Sequence, residues 1–169
     1  MATKKDIVIG DSFRRYTDLV KEDNVIRALK KNTRDFKKFL EKIPKKKIDY
    51  AYAEGKWTIK QVLQHVIDAE RVFGYRSLCF SRKDTTPLPG FDENNWAVHS
   101  EYSSRKWDDL VKEFKTVRKG TEILFESFTP DQLVAVGNAS GNNCNALGFG
   151  FVCSGHATHH MKIIKERYL

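Results

Sequence analysis

Five histidines lie along the chain, and three of them, His65, His156 and His160, stand where a helical core would place apolar side chains. His65 follows Val62 by three residues and precedes Ala69 by four and Val72 by seven, so its ring projects from the apolar stripe of a helix. His156 and His160 are four apart, stacked on one helical face that also carries Phe149, Val152, Cys153, Ile163 and Ile164. An unpaired imidazole among aliphatic groups costs about 1–3 kcal/mol, so three converging rings need a shared partner. A divalent transition metal fits that need. Neutral imidazole ligates Zn, Ni, Cu or Fe, and three histidines from two facing helices leave a coordination position for water or substrate. The spacing alone also admits a plainer account, hydrogen-bonded histidines inside an ordinary helical core.

The neighbouring polar residues leave further alternatives open. His159 is three residues after His156 and offers a competing chelating pair, although it lies beside the stripe centred on His160 and is expected next to the ligands rather than among them. Cys153 is either a ligand for a softer ion or a small packing residue. Asp68 and Glu70 are candidates to orient an imidazole or to act as a base, the other account being solvated carboxylates. His99 falls in a long connection and is expected in solvent. No catalytic group beyond the metal ligands is assignable.

Four segments have the apolar spacing of helices long enough to hold these residues. The first runs from about Asp23 to Lys42 and is stopped by Pro44. The second opens with a capping box, Thr58 with Gln61, flanked by Trp57 and Val62 as a hydrophobic staple, and reaches about Phe80. A connection from Asp84 to Trp96 follows, too rich in proline and glycine for a continuous helix and apolar enough, at Leu88, Phe91 and Trp96, to wall a pocket. The third helix, capped by Ser103 or Ser104, carries Trp107, Leu110, Val111, Phe114, Val117, Leu124 and Phe128 on one stripe. Thr129-Pro130-Asp131-Gln132 predicts a short extra turn, residues 137–143 predict a loop, and the fourth helix runs from about Ala146 to Arg167. The expected architecture is all-α, an antiparallel four-helix bundle with a long crossover loop, formed by one domain over residues 1–169 with 1–22 as an N-terminal extension.

Composition bounds the partners. Apolar residues make up 40% of the 169 and charged residues 31%, which suits a globular chain and neither a disordered nor a membrane one. No stretch of about 18 apolar residues occurs and the N-terminus lacks a signal-peptide core, so a cytoplasmic location and no membrane contact are expected. Cys79, Cys144 and Cys153 are an odd number at wide spacing and are expected to be reduced. The net charge of +8 is spread over every helix without a nucleic-acid-binding motif, which argues for solvated faces and against a nucleic-acid partner.

Three stretches, residues 57–71 (WTIKQVLQHVIDAER), 86–94 (TPLPGFDEN) and 155–160 (GHATHH), resemble the DinB-like superfamily in order and spacing, and the likeness extends from about Asp23 to Tyr168. That resemblance implies a four-helix bundle with a histidine triad, one ligand on the second helix and two on the fourth: here His65, His156 and His160. It implies nickel, zinc or a similar ion as cofactor, together with a small-molecule substrate. Members of the family include metal-dependent hydrolases, enzymes that transfer bacillithiol or mycothiol to electrophiles, and a thiol-dependent maleylpyruvate isomerase. The implied activity is therefore a metal activating a water or a low-molecular-weight thiol, with a non-catalytic metal- or ligand-binding protein as the alternative and a homodimer as a permitted state. The family's name refers to DNA-damage-inducible regulation and implies no DNA binding.

Overall fold

The computed structural model describes residues 2–169, in which seven α-helices, three short 3-10 turns and one hairpin occur. In chain order the helices are α1 (Asp11–Thr17), α2 (Val25–Leu40), α3 (Ile59–Ser81), α4 (Glu93–His99), α5 (Trp107–Glu126), α6 (Pro130–Val134) and α7 (Ala146–Arg167). The four long ones, α2, α3, α5 and α7, correspond to the four periodic segments of the sequence and make an all-α bundle. The predicted capping box is formed: the Gln61 amide N–H donates to Thr58 Oγ1 at 3.2 Å and the Thr58 N–H to Gln61 Oε1 at 2.9 Å. A second box, Thr129 with Gln132, opens α6. The α7 helix starts on Asn145, whose side chain accepts from the Gly148 N–H at 2.8 Å.

Side-chain pairs fix the helix directions. Lys30 meets Glu126, Thr33 meets Glu122 and Phe36 meets Phe114, so α2 and α5 are antiparallel. Trp57 meets Tyr168, His65 meets His156 and Phe73 meets Phe149, so α3 and α7 are antiparallel as well. Between these two pairs the neighbours run parallel: Asn32 bonds Thr158 while Lys165 lies over Phe39, and Gln64 bonds Arg105 while Arg71 pairs with Glu113. The order is up, down, down, up. Because α3 and α5 point the same way, the 82–106 connection must return along the bundle, which is why it is long.

That connection is not merely a loop. Asp92 caps α4, its carboxylate accepting from the N–H groups of Asn94 and Asn95. The 137–143 stretch, expected as a loop, forms a hairpin instead, Val136–Ala139 against Asn142–Asn145, with Ser140 and Gly141 both in the left-handed region at φ 53° and 76°. Two positive φ values at the centre of a two-residue turn match strand twist, and glycine at the second accepts the conformation freely. Leu88 of the crossover joins the hairpin edge through its N–H to Asn138 O and its C=O to the Ser140 N–H, both at 3.0 Å. Within the N-terminal segment α1 docks on α7, where Gly155 comes so close that an added Cβ would sit 2.0 Å from the Tyr16 carbonyl oxygen.

The core divides into two apolar clusters. One holds Phe73, Phe80, Phe125 and Phe149; the other holds Phe36, Leu63, Phe114 and Ile164. Each fully buried side chain of this size contributes about 1.5–3 kcal/mol. Between the clusters lies a polar layer centred on Arg118, which is fully buried. Its Nε and Nη2 donate to the two carboxylate oxygens of Glu70 at 2.6 and 2.7 Å, Nη1 donates to Asn32 Oδ1 at 2.6 Å, and Nη2 also reaches the Cys153 carbonyl at 3.1 Å. Among the described residues no helix is long and apolar enough to cross a membrane.

Candidate metal centre

The same boundary between the clusters holds the histidines. His65 projects from the first half of α3, and His156 and His160 from successive turns of the facing α7. His156 Nε2 lies 3.0 Å from His65 Nε2 and 3.0 Å from His160 Nε2, and ligand atoms of all three rings fall within 4.8 Å of one another. His156 is 4% exposed and His160 9%, while His65 is partly buried under the Trp57 ring, 5.0 Å away. Tyr16 from α1 stands edge-on to His156 with ring centroids 5.1 Å apart, and Phe73 does the same from α3 at 5.7 Å.

Hydrogen bonding does not satisfy this cluster. A ring nitrogen carries one proton or one lone pair, so His156 Nε2 cannot make well-aligned bonds to two other Nε2 atoms at once. A single cation can satisfy three convergent lone pairs. Two nitrogens bonded to one ion at about 2.0–2.1 Å lie about 2.8–3.4 Å apart for angles from square to tetrahedral, and the two separations from His156 Nε2 are within that range. The donor set therefore fits a divalent transition metal. The far nitrogen of His160, Nδ1, is buried without a hydrogen-bond partner.

Burial keeps the rings neutral. Desolvation holds the His65 pKa at about 4, and it drives His156 and His160 well below the ordinary imidazole value, helped by their mutual repulsion when charged. All three are thus free bases at neutral pH, the protonation state that metal ligation requires.

His65 and His156 open on a cavity of about 420 Å³ whose other walls come from four parts of the chain: Arg15 and Tyr16 of the N-terminal segment, Ala69, Phe73 and Arg76 of α3, Phe91 and Glu93 of the crossover, and Asn142 of the hairpin. Its size suits a small organic molecule. A second cleft of about 270 Å³ reaches His160 from the other side, and Glu93 borders both. The Glu93 charge also acts directly on His65, favouring its protonated form.

The residues singled out from the sequence are distributed unevenly. His65, His156 and His160 come together; His159 lies outside the triad with its ring 5.3 Å from Tyr16 and 5.2 Å from His160. Glu70 does not serve the imidazoles, because both of its oxygens are taken by Arg118. Asp68 accepts from Gln64 at 2.9 Å and lines a neighbouring apolar cleft of about 390 Å³ with Arg71 and Tyr75. Leu88 and Trp96 wall that cleft rather than the triad's, and Phe91 alone of the three reaches the latter. Cys153 is a packing residue whose burial raises its thiol pKa well above normal, and all three cysteines are unbridged. His99 is exposed, its Nδ1 2.8 Å from the Asn95 carbonyl. The cavity also presents Arg15, Tyr16, Arg76, Glu93 and Asn142, none of which has a site role assignable from helical spacing alone.

A family model of the DinB superfamily matches residues 28–164. The chain belongs to the DinB superfamily. Among solved structures it is similar to YfiT from Bacillus subtilis, described as a probable metal-dependent hydrolase with an unusual four-helix bundle topology. The TM-score is 0.71 over 84% of this chain and 82% of that one, with 18% sequence identity, a likeness that carries the fold. No curated protein matches the chain.

Proposed function

We propose that this DinB-superfamily member is a metal-dependent enzyme acting on a small-molecule substrate, with His65, His156 and His160 holding one divalent ion, zinc or nickel. The single observation that carries the reading is the pair of 3.0 Å contacts made by His156 Nε2, which one ring nitrogen cannot satisfy by hydrogen bonding. Bound there, the ion supplies a Lewis acid that brings the pKa of a water or a low-molecular-weight thiol toward neutrality. The description of YfiT as a probable metal-dependent hydrolase supports the hydrolytic form of the reading, and thiol transfer is its alternative.

The protein's own side chains supply the rest. Tyr16, Phe73 and Phe91 screen the cavity from bulk water, which strengthens every electrostatic interaction inside it. Glu93, beside His65 and at the mouth of both clefts, accepts the proton that the nucleophile loses. Because α1, the bundle and the crossover all contribute walls, residues 1–169 act as a single unit in this proposal.

The test is metal content measured by elemental analysis on the purified protein. Wild type is expected to hold up to one equivalent of zinc or nickel, His65→Ala and His160→Ala to lose most of it, and His99→Ala to keep it. Equal content in all of them would overturn the triad. Hydrolysis of simple esters and amides, and thiol conjugation to a small electrophile, are then compared between loaded and metal-free protein. Metal binding without turnover of either kind would leave a non-catalytic metal-binding protein.

A further inference from the structure

Two arginines are buried in this molecule, and they are treated differently. Arg118 is fully buried and its guanidinium is neutralised by bidentate pairing with Glu70. Arg76 is 2% exposed and, among the described residues, no carboxylate lies within ion-pair distance of it. Only its Nη2 is used: it donates to the Pro89 carbonyl at 2.7 Å and to Ser140 Oγ at 3.0 Å. Those bonds pin the crossover to the hairpin but supply no negative charge. Of the five N–H donors of a guanidinium, three remain without a protein acceptor among the described residues. Removing a cation from water without a counter-charge is costly, and proteins ordinarily compensate it with a paired anion.

Arg76 lines the cavity onto which His65 and His156 open, with Ser12, Arg15 and Asn142 on the same walls. The cavity holds two guanidinium groups, three hydroxyls and an amide against a single carboxylate, Glu93, which acts on His65, and its Arg76 end is chemically matched to a carboxylate or phosphate. We infer that Arg76 is the seat for an anionic group of the substrate, a carboxylate or a phosphate, at the end of the cavity away from the histidines. This rests on the proposed function, for which it names the substrate class. Arg76 follows His65 by eleven residues on one helix, a rise of about 16 Å between their Cα atoms, and the arginine's long arm shortens that gap. The substrate is therefore extended, with its anionic end separated from its reacting bond. The overall charge of +8 would draw such a molecule to the protein.

The experiment is calorimetric titration of sodium phosphate and, separately, sodium succinate into chelator-treated and zinc-loaded protein in low-chloride buffer. Wild type is expected to bind at least one of these anions in both metal states, the tighter one identifying phosphate or carboxylate as the preferred group. Arg76→Gln is expected to weaken that binding at least about tenfold, the scale of a lost charged hydrogen bond. Arg34→Gln, which removes the same charge from an exposed position of α2 outside the cavity, is expected to stay within about twofold. Circular dichroism verifies folding, and if Arg76→Gln does not fold, Arg76→Lys takes its place, with at least about threefold weakening expected because a point charge replaces the planar fork. No anion binding by wild type, undiminished binding by the Arg76 variant, or binding that requires zinc and ignores Arg76 would each overturn the inference. Arg76-dependent binding in a protein that never takes up metal would sustain the anion seat and sink the metal reading.

Discussion

Acidification gives the most direct physical probe of the histidine cluster. In the unfolded chain an imidazole titrates near 6.5, whereas burial holds His65 at about 4 in the folded protein. Between those values the unfolded state binds the proton and the folded state does not, so stability contributed by neutral His65 is complete above pH 6.5 and is lost as pH falls toward 4. A fall from 6.5 to about 4, at about 1.4 kcal/mol for each pKa unit, is about 3 kcal/mol. His156 and His160 act in the same direction, since burial lowers both. Carboxylates also begin to titrate in this window, and a His65→Phe variant separates their share. The assay is urea unfolding of metal-free protein at several pH values from 7 to 4. Wild type should lose about 3 kcal/mol more than His65→Phe over that range. Parallel curves for the two proteins would refute the claim that His65 is held neutral by burial. Zinc present at about a hundred times its dissociation constant should add about 2.7 kcal/mol at pH 7. That increment should shrink by pH 5, where protons compete for the ligand nitrogens.

Three other perturbations test separate parts of the structure. Glu93→Gln should leave metal content unchanged and lower kcat by about a hundredfold or more, as read by steady-state kinetics on whichever substrate is turned over. Arg118→Met should destabilise the fold by about 3–5 kcal/mol in urea unfolding because Glu70 would be left buried and unpaired, and Arg118→Met with Glu70→Gln should cost less than the single change. Gly155→Ala should push α1 from α7, at a cost of about 1–3 kcal/mol, and should expose the His156 side of the cavity to faster metal loss in a chelator-exchange assay.

The long helices and the triad were legible because they depend on local periodicity. An imidazole at a core position of α3 and two at i, i+4 on α7 reveal themselves by their spacing against apolar neighbours. The short elements carry no such signal. At seven residues each, α1 and α4 are below the length at which a helix is stable alone, and their order comes from what they dock against. The hairpin is similar: Val136 to Ala139 and Asn142 to Asn145 have no clean alternation, and Leu88, which completes its edge, lies far back in the chain in the crossover.

The buried charges expose a different weakness of reading a helix by its apolar stripe. Arg118 is four residues after Phe114, and Arg76 is seven after Ala69 and three after Phe73, so each stands on a face otherwise given to the core. That displacement was a usable signal, the same one that picked out His65. What it could not supply was the partner. Glu70 is 48 residues from Arg118 and meets it only because the crossover makes α3 and α5 parallel neighbours. The same topology gives Arg76 no carboxylate within ion-pair distance among the described residues and leaves it facing the cavity. A buried charge paired within the protein holds the bundle together; a buried charge aimed into a pocket is compensated from outside. On that distinction Arg118 is structural, whereas the anion seat proposed at Arg76 and the metal site proposed at the histidines share one reason for burial, a ligand from outside the chain.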